Sequence, residues 1–190
     1  MSAQPQQKYL TPEEYLAVER QAEYKSEYVD GVMYAMAGGG PKHSLVAGNV
    51  LTHLNLKLLD KPCLVFNSDM KVRAPNSRKF HYPDVTVVCE KPQFADDERD
   101  VLLNPLALVE VLSDSTAGYD RRKKFLYYQE IESFREYVLI AQDEPVVQHY
   151  VKQPNGSWIY TKIEGLDQTL TFSALNCQVA LKDIYAKTGL

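Results

Sequence analysis

Two acidic residues stand inside apolar stretches of the sequence, where a carboxylate is costly to bury. Asp84 is followed by Val85-Thr86-Val87-Val88, and Glu110 lies within Leu108-Val109-Glu110-Val111-Leu112. A carboxylate in a buried strand costs free energy unless it is paired or binds a metal. Hard oxygen ligands without His or Cys favour Mg²⁺, Mn²⁺ or Ca²⁺, and Mg²⁺ keeps coordination positions open for water and a phosphate oxygen. The two acids therefore indicate a metal site for phosphoryl chemistry, although each alone could simply end a strand and meet solvent or a lysine.

A lysine with helical spacing is the third candidate. Asp120, Lys124 and Tyr128 recur every four residues along a basic, helix-prone run, so they share one helical face. Lys124 could thus project toward the sheet. A positioned ammonium group could orient an attacking water and stabilise the charge that develops on a phosphate. The alternative is an ordinary solvated basic helix.

The pattern of apolar and turn residues predicts the elements that must position these side chains. Helices are expected from about Thr11 to before Tyr24, through about Leu59 after the Gly38-Gly39-Gly40 break, and over residues 119–130. Strands are expected at residues 24–29, 32–36, 62–66, 70–74, 80–88, 106–112, 136–140, 146–151 and 158–163, with short C-terminal elements of unassigned type. We expect a protein of the α/β (α+β) class, with a mixed central sheet flanked by helices, in a single domain over residues 1–190.

Composition excludes several classes of protein. A chain of 190 residues with 45% hydrophobic and 24% charged residues is typical of a globular domain, and no apolar run approaches the roughly 20 residues that span a bilayer. The N-terminus has no signal-peptide pattern, so a cytoplasmic location is expected. The three cysteines, Cys63, Cys89 and Cys177, have no metal-type spacing and are expected to be reduced and buried.

Part of the positive charge of the sequence is concentrated in two short groups of basic residues. A net charge of −4 argues against a protein that coats nucleic acid through bulk electrostatics. Two basic groups nevertheless occur, and each is either a solvated face or a contact for a phosphate backbone. They are Lys71, Arg73, Arg78 and Lys79, and then Arg121, Arg122, Lys123 and Lys124.

These motifs resemble a known family of enzymes. Pro83-Asp84, then Glu110-Val111-Leu112, then a helical lysine resemble the PD-(D/E)XK nuclease superfamily. A narrower similarity, to the Uma-type restriction endonuclease family, covers nearly the whole chain. It rests on Glu27-Tyr28-Val29-Asp30-Gly31, on His43, on Ser68-Asp69-Met70-Lys71-Val72-Arg73, on Glu110-Val111-Leu112-Ser113-Asp114-Ser115-Thr116, and on Glu136-Tyr137-Val138-Leu139.

The resemblance implies a restriction-endonuclease-like α-β-β-β-α-β core with extra N- and C-terminal strands, and frequent homodimerisation. It also implies a divalent metal, Mg²⁺ (or Mn²⁺), held by Asp84 and Glu110. Leu112 stands where the superfamily has a lysine, and Lys124 is the candidate replacement, because a lysine moved from strand to helix is a feature of the Uma-type family. Glu27 matches an acidic position of that family and could reach the metal or its water, or be a surface charge of the hairpin.

The sequence thus predicts a Mg²⁺-dependent DNA endonuclease with catalytic residues Asp84, Glu110, Lys124 and Glu27. Arg73, Arg78 and Arg121 are expected to contact the DNA backbone. The alternative is a catalytically inactive module of the same fold that binds DNA or assembles with a partner. Three further residues have open roles: His43 is expected to pack rather than to contact a phosphate, and Asp69 and Lys71 either border the site or form an ion pair.

Overall fold

The structure, a computed structural model, describes residues 9–113 and 117–190. The first of these ranges contains α1 (Pro12–Glu19), β1 (Ser26–Val29), β2 (Val32–Ala35), α2 (Pro41–Lys57), β3 (Leu64–Asn67), β4 (Lys71–Val72), β5 (Lys79–Phe80), β6 (Val85–Val88), β7 (Val101–Leu102) and β8 (Ala107–Leu112). The second contains a helical segment formed by α3 (Ala117–Tyr119), a π-helical turn (Asp120–Lys124) and α4 (Phe125–Tyr128), followed by β9 (Glu136–Ala141), β10 (Val146–Lys152), β11 (Trp158–Glu164), β12 (Thr169–Phe172), β13 (Cys177–Ala180) and α5 (Leu181–Ile184).

Local sequence signals account for the N-terminal elements. The Thr11 hydroxyl accepts a hydrogen bond from the Glu14 amide, and the Glu14 carboxylate accepts one from the Thr11 amide, which caps the start of α1. Asp30 and Gly31 both have positive φ, 49° and 103°, as the tight turn between β1 and β2 requires. The predicted first helix and hairpin are therefore confirmed.

The main sheet is mixed. Its strand order is β11-β10-β9-β8-β6-β3, and its neighbours are antiparallel except β8 and β9, which are parallel. A parallel pair needs a crossover connection, and the helical segment between β8 and β9 supplies part of it. This arrangement of helices on a mixed sheet confirms the predicted fold class.

The two faces of the sheet are covered by different elements. On one face, α2 packs Val50 and Leu54 in a cluster with Val109 of β8. On the other face, Leu108 packs with Tyr128 of the helical segment. Since successive side chains of a strand alternate between faces, Glu110 shares the face of Leu108 and points toward the helical segment. None of the described helices, α2 included, is both long and apolar enough to cross a membrane.

Two predicted strands lie elsewhere than in the centre of the main sheet. The strand expected at residues 70–74 is the short β4, which pairs in parallel with β7. The strand expected at residues 80–88 is interrupted: β5 pairs with β1 in a smaller sheet, and only β6 enters the main sheet. Pro83 has no amide hydrogen to donate to a ladder, which favours this break. The interruption leaves Asp84 immediately before β6.

The prediction for the cysteines was wrong in part. Cys63 and Cys89 form a disulfide, and all three cysteines are half-buried rather than buried. The register explains the pairing, because Leu64 of β3 opposes Val88 of β6, so that the residues one step beyond also face each other. Cys177 has a free thiol.

Candidate active site

Asp84 lies just before β6, and Glu110 lies on the adjacent strand β8. Val85 of β6 pairs with Val109 of β8, so Asp84, the residue before β6, lies next to the segment of β8 that carries Glu110 and Val111. The Asp84 carboxylate is fixed by the Val111 amide, which donates a hydrogen bond of 2.7 Å to Oδ2. The sheet therefore brings together the two acids that the sequence singled out.

Lys124 reaches the same place from the helical segment. Its ammonium nitrogen lies 2.8 Å from Oε1 of Glu27, 3.2 Å from Oδ1 of Asp120 and 3.3 Å from Oε1 of Glu110. Asp120 and Lys124 are the buried residues of the π-helical turn, whereas the intervening residues 121–123 are exposed. One lysine of the basic run thus points inward while its basic neighbours stay in solvent.

The buried charged groups at the site shift one another's pKa values. Burial raises the pKa of Glu110 well above its ordinary value, and the nearby Lys124 only partly opposes this. Burial would lower the pKa of Lys124, but Glu110, Glu27 and Asp120 outweigh that effect and hold the pKa well above its ordinary value. The Tyr128 hydroxyl donates a hydrogen bond of 2.9 Å to Oε1 of Glu110. Lys124 consequently remains a charged ammonium group among carboxylates.

Both carboxylate oxygens of Glu27 have partners in the site. Oε1 contacts Lys124 and accepts a hydrogen bond of 3.3 Å from the Tyr82 amide, while Oε2 lies 3.3 Å from Nδ1 of His81. Burial would raise the pKa of Glu27, but Lys124 and His81 more than compensate and lower it to about 2. In the structure Glu27 is therefore an ionised partner of Lys124, in contrast to a solvent-exposed charge of the hairpin.

This shift predicts how stability depends on pH. The folded-state pKa of Glu27, about 2, is below its ordinary value of 4.5, so the stabilisation is complete above about pH 4.5 and is lost as the pH falls toward 2. We expect Glu27→Gln to be less stable than wild type at pH 7, and the difference in unfolding free energy to shrink between pH 4.5 and pH 3. Urea unfolding at several pH values measures this. Glu90→Gln, at an exposed position, is the control; a difference for Glu27→Gln that stays constant from pH 7 to pH 3 would contradict the assignment.

Two histidines join the site, and sequence reasoning assigned neither of them to it. His43, in the first turn of α2, has its Nε2 at 3.4 Å from Oδ2 of Asp84, and this contact raises the pKa of His43 although burial opposes it. Packing was the expected role for this residue, whereas the structure places it on a carboxylate of the site. His81 contacts Glu27, and its only sequence signal is its position just before Tyr82-Pro83-Asp84.

The carboxylates of the site suit only one way of binding a divalent cation. Within residues 9–113 and 117–190, no group of three or more His, Cys, Asp or Glu side chains is arranged to hold a metal ion. Mg²⁺, however, is commonly bound through one or two carboxylates, with waters and substrate phosphates completing the octahedron. Asp84 and Glu110 fit that mode of binding, and they do not fit a cage made of protein ligands alone.

The arginines expected to contact DNA differ in their surroundings. Arg121 is exposed, and its Nε donates a hydrogen bond of 3.2 Å to Gln148. Arg78 is also exposed, with Nη2 at 3.5 Å from the hydroxyl of Tyr28. Arg73 is half-buried, with its guanidinium 5.1 Å from the centre of the Phe80 ring. Arg78 and Arg121 are therefore the more accessible of the three.

The first basic group is partly neutralised. Lys71 is buried, and its ammonium nitrogen lies 2.7 Å from Oδ2 of Asp100. Asp69 forms an ion pair with Lys25. Asp69 and Lys71 thus each take part in an ion pair, but not with each other.

Known proteins with similar sequences cover most of this chain. Residues 12–182 match the Uma2 family, described as "Putative restriction endonuclease". Two uncharacterised proteins of Synechocystis sp. are similar: one is 37% identical over 166 residues, which is 87% of this chain and 94% of the relative, and the other is 32% identical over 176 residues, 93% and 91% of the two chains.

A solved structure supports the fold. The crystal structure of a protein from Anabaena variabilis, described as a putative nuclease belonging to DUF820, superposes with a TM-score of 0.77 at 17% identity, over 94% of this chain and 99% of that chain. At this identity the likeness concerns the fold alone, whereas the sequence match extends over the strands and helices that carry the site residues. The resemblance found in the sequence is confirmed: the chain belongs to the Uma2 family, which is described as "Putative restriction endonuclease".

Proposed function

We propose that this protein is a metal-dependent endonuclease that hydrolyses phosphodiester bonds of DNA. The observation that carries the proposal is the contact of Lys124 with Glu110 of β8, close to Asp84 just before β6, in a chain whose family is described as "Putative restriction endonuclease". A buried ammonium beside carboxylates that fit Mg²⁺ is an arrangement suited to stabilising charge on a phosphate.

Each residue of the site has a distinct task in the proposed reaction. Asp84 and Glu110 would hold Mg²⁺ (or Mn²⁺), which when bound neutralises charge on the phosphate and lowers the pKa of water. Lys124 holds the attacking water beside the scissile phosphate through an N–H hydrogen bond. The Val111 amide and His43 fix the carboxylate of Asp84, and Tyr128 fixes that of Glu110.

Lys124 can perform this task only if one of its contacts yields to the water. The ammonium group has three N–H donors, and three carboxylates surround it in the structure. The contact with Glu110, at 3.3 Å, is the longest of the three and lies on the side of the proposed metal ligands. Glu27, at 2.8 Å, then retains the ammonium in place, and the Asp120 carboxylate adds its charge without accepting a hydrogen bond at Oδ1 from the described residues, while an N–H turns to the water.

The competing function is a nuclease-fold module that binds DNA or a partner without cleaving it. Leu112 in place of a strand lysine and the net charge of −4 are compatible with it. A binding module, however, has no need of a lysine buried among carboxylates at the end of two paired strands, because phosphate binding uses exposed cations. This favours the enzyme.

Cleavage of plasmid DNA separates the two functions. Purified protein is incubated with supercoiled and linear DNA in the presence of Mg²⁺, of Mn²⁺ or of EDTA, and Glu110→Gln is the matched control. We expect nicking or linearisation with metal, none with EDTA, and none for Glu110→Gln. Binding of DNA without metal-dependent cuts would favour the module.

The affinity for DNA should fall steeply with salt, because contacts between arginine and phosphate release counterions. We expect Arg78→Ala and Arg121→Ala each to weaken binding to all sequences and to reduce the slope of log affinity against log salt by about 1. Arg73→Ala should have a smaller effect, since this guanidinium packs on Phe80. Fluorescence anisotropy over a salt series measures the slope. Lys162→Ala, at an exposed position, is the control. A salt-independent binding constant would remove DNA as the substrate.

Three expectations from the sequence complete the proposal. A homodimer, a cytoplasmic location and a single domain over residues 1–190 remain predictions. None of them changes the chemistry assigned to the site, because its residues all come from one chain.

A further inference from the structure

His81 is a buried histidine that the proposed reaction does not use. It is 1% exposed, and its backbone exchanges hydrogen bonds of 2.8 and 3.1 Å with Val72. Its ring stacks on that of Tyr127 at a centroid distance of 5.7 Å and an interplanar angle of 5°, and it meets the rings of Tyr119 and Tyr128 edge-on. Backbone and ring are therefore held from several sides.

The fixed ring presents Nδ1 to the carboxylate of Glu27. Nδ1 lies 3.3 Å from Oε2, within hydrogen-bonding distance, but the alignment does not meet hydrogen-bond geometry, so by that criterion Nδ1 has no partner among the described residues. Burial lowers the pKa of His81, although Glu27 opposes this, which favours a neutral imidazole. A neutral ring that donates through Nδ1 has a bare Nε2, and Nε2 is buried with no hydrogen-bond partner among the described residues.

Glu27 divides its two oxygens between different partners. Oε2 faces His81, while Oε1 accepts from the Tyr82 amide and contacts Lys124 at 2.8 Å, the shortest of the lysine's three carboxylate contacts. A carboxylate held at only one oxygen can swing about its side-chain torsions, and Lys124 would then lose its nearest anchor. Fixing Oε2 therefore fixes the position of the lysine.

We propose that His81 is a positioning residue whose Nδ1–H orients Glu27, so that Glu27 holds the Lys124 ammonium in place beside Glu110. Glu27 accordingly acts through Lys124 and not on the metal. This inference deepens the proposed function, and its effect on the cleavage rate rests on that function. The arrangement of His81, Glu27 and Lys124 does not depend on it.

The first test needs neither a variant nor an activity. Nitrogen-15 NMR of the histidine rings distinguishes an imidazole protonated at Nδ1 from one protonated at Nε2. We expect His81 to be neutral at pH 7 and protonated at Nδ1. An Nε2–H tautomer would overturn the proposal, because that ring cannot donate to Glu27.

Two variants separate the hydrogen bond from packing. His81→Phe keeps an aromatic ring on Tyr127 but has no N–H, whereas His81→Asn loses the ring and keeps an amide donor near the place of Nδ1. Carbon-13 NMR of the Glu27 carboxyl follows its titration. We expect the pKa of about 2 to rise by about one pH unit in His81→Phe, and to stay near the wild-type value in His81→Asn.

Cleavage kinetics supply the second readout. We expect His81→Phe to lower kcat by roughly 10-fold with little change in KM, and His81→Asn to recover most of the rate. Equal kcat losses in the two variants, or an unchanged Glu27 titration in His81→Phe, would overturn the proposal. If wild-type protein cleaves no DNA, the proposed function fails, and the NMR results alone decide whether His81 orients Glu27.

Discussion

Lys124→Ala is expected to lower the rate of DNA cleavage by roughly 10²-fold or more, while the affinities for Mg²⁺ and for DNA stay nearly intact. The reason is that Lys124 is buried beside Glu110 and cannot serve as an exposed contact for the backbone. Its task in the proposed reaction is confined to the water and the phosphate charge in the transition state. Single-turnover cleavage at saturating protein measures this rate apart from binding.

Lys123→Ala is the matched control for this experiment. Lys123 has the same side chain and lies one position earlier, but it is exposed, because adjacent positions on a helical segment point in different directions. We expect its removal to leave the rate nearly unchanged. Equal rate losses for the two variants, or full activity in Lys124→Ala, would exclude a catalytic role for Lys124.

Lys124→Ala should also be the less stable of the two variants. It leaves Glu27, Asp120 and Glu110 without their shared cation in a buried setting. The kinetic comparison is therefore made at a temperature where circular dichroism shows both variants folded. A loss of activity that follows the loss of folded protein would carry no information about catalysis.

Asp84→Asn is expected to abolish the stabilisation of the protein by metal. A cation that binds the folded state at about 100 times its dissociation constant adds about 2.7 kcal/mol of stability, equivalent to a rise in Tm of about 5 to 10 °C for a chain of this size. Asparagine retains an oxygen that can accept from the Val111 amide, so the local structure is preserved. Its neutral amide is a much weaker ligand for a hard cation.

Thermal unfolding with and without Mn²⁺ measures this effect. Asp69→Asn is the control, because Asp69 is an exposed carboxylate that pairs with Lys25 outside the site. The Tm of Asp69→Asn should rise with Mn²⁺ by as much as the Tm of wild type. An equal rise in Tm for wild type and Asp84→Asn would mean that the metal binds elsewhere.

The central residues of the site could be predicted from the sequence because each is marked by a local sequence pattern. Asp84 and Glu110 stand out as acids in apolar strands, and the spacing of Asp120 and Lys124 predicts a shared inward face. The structure shows Asp120 and Lys124 buried within the π-helical turn. What the pattern did not reveal was the break at Pro83, which divides one predicted strand between two sheets.

The parts that sequence reasoning missed depend on contacts between distant residues. His43 and Asp84 are far apart in the chain, as are His81 and Glu27, and no local periodicity links either pair. Lys71 was grouped with surface cations, but β4 pairs with β7 and buries it against Asp100. The disulfide likewise follows from the register of β3 with β6 and not from cysteine spacing.

The most direct test of the site is a crystal structure of the protein with bound Mn²⁺, because anomalous scattering locates the ion independently of any substrate. We predict a single strong anomalous peak, from a Mn²⁺ ion that is coordinated by carboxylate oxygens of Asp84 and Glu110. Lys124 should still contact Glu27. A peak at other residues, or none at a Mn²⁺ concentration that supports DNA cleavage, would contradict the account.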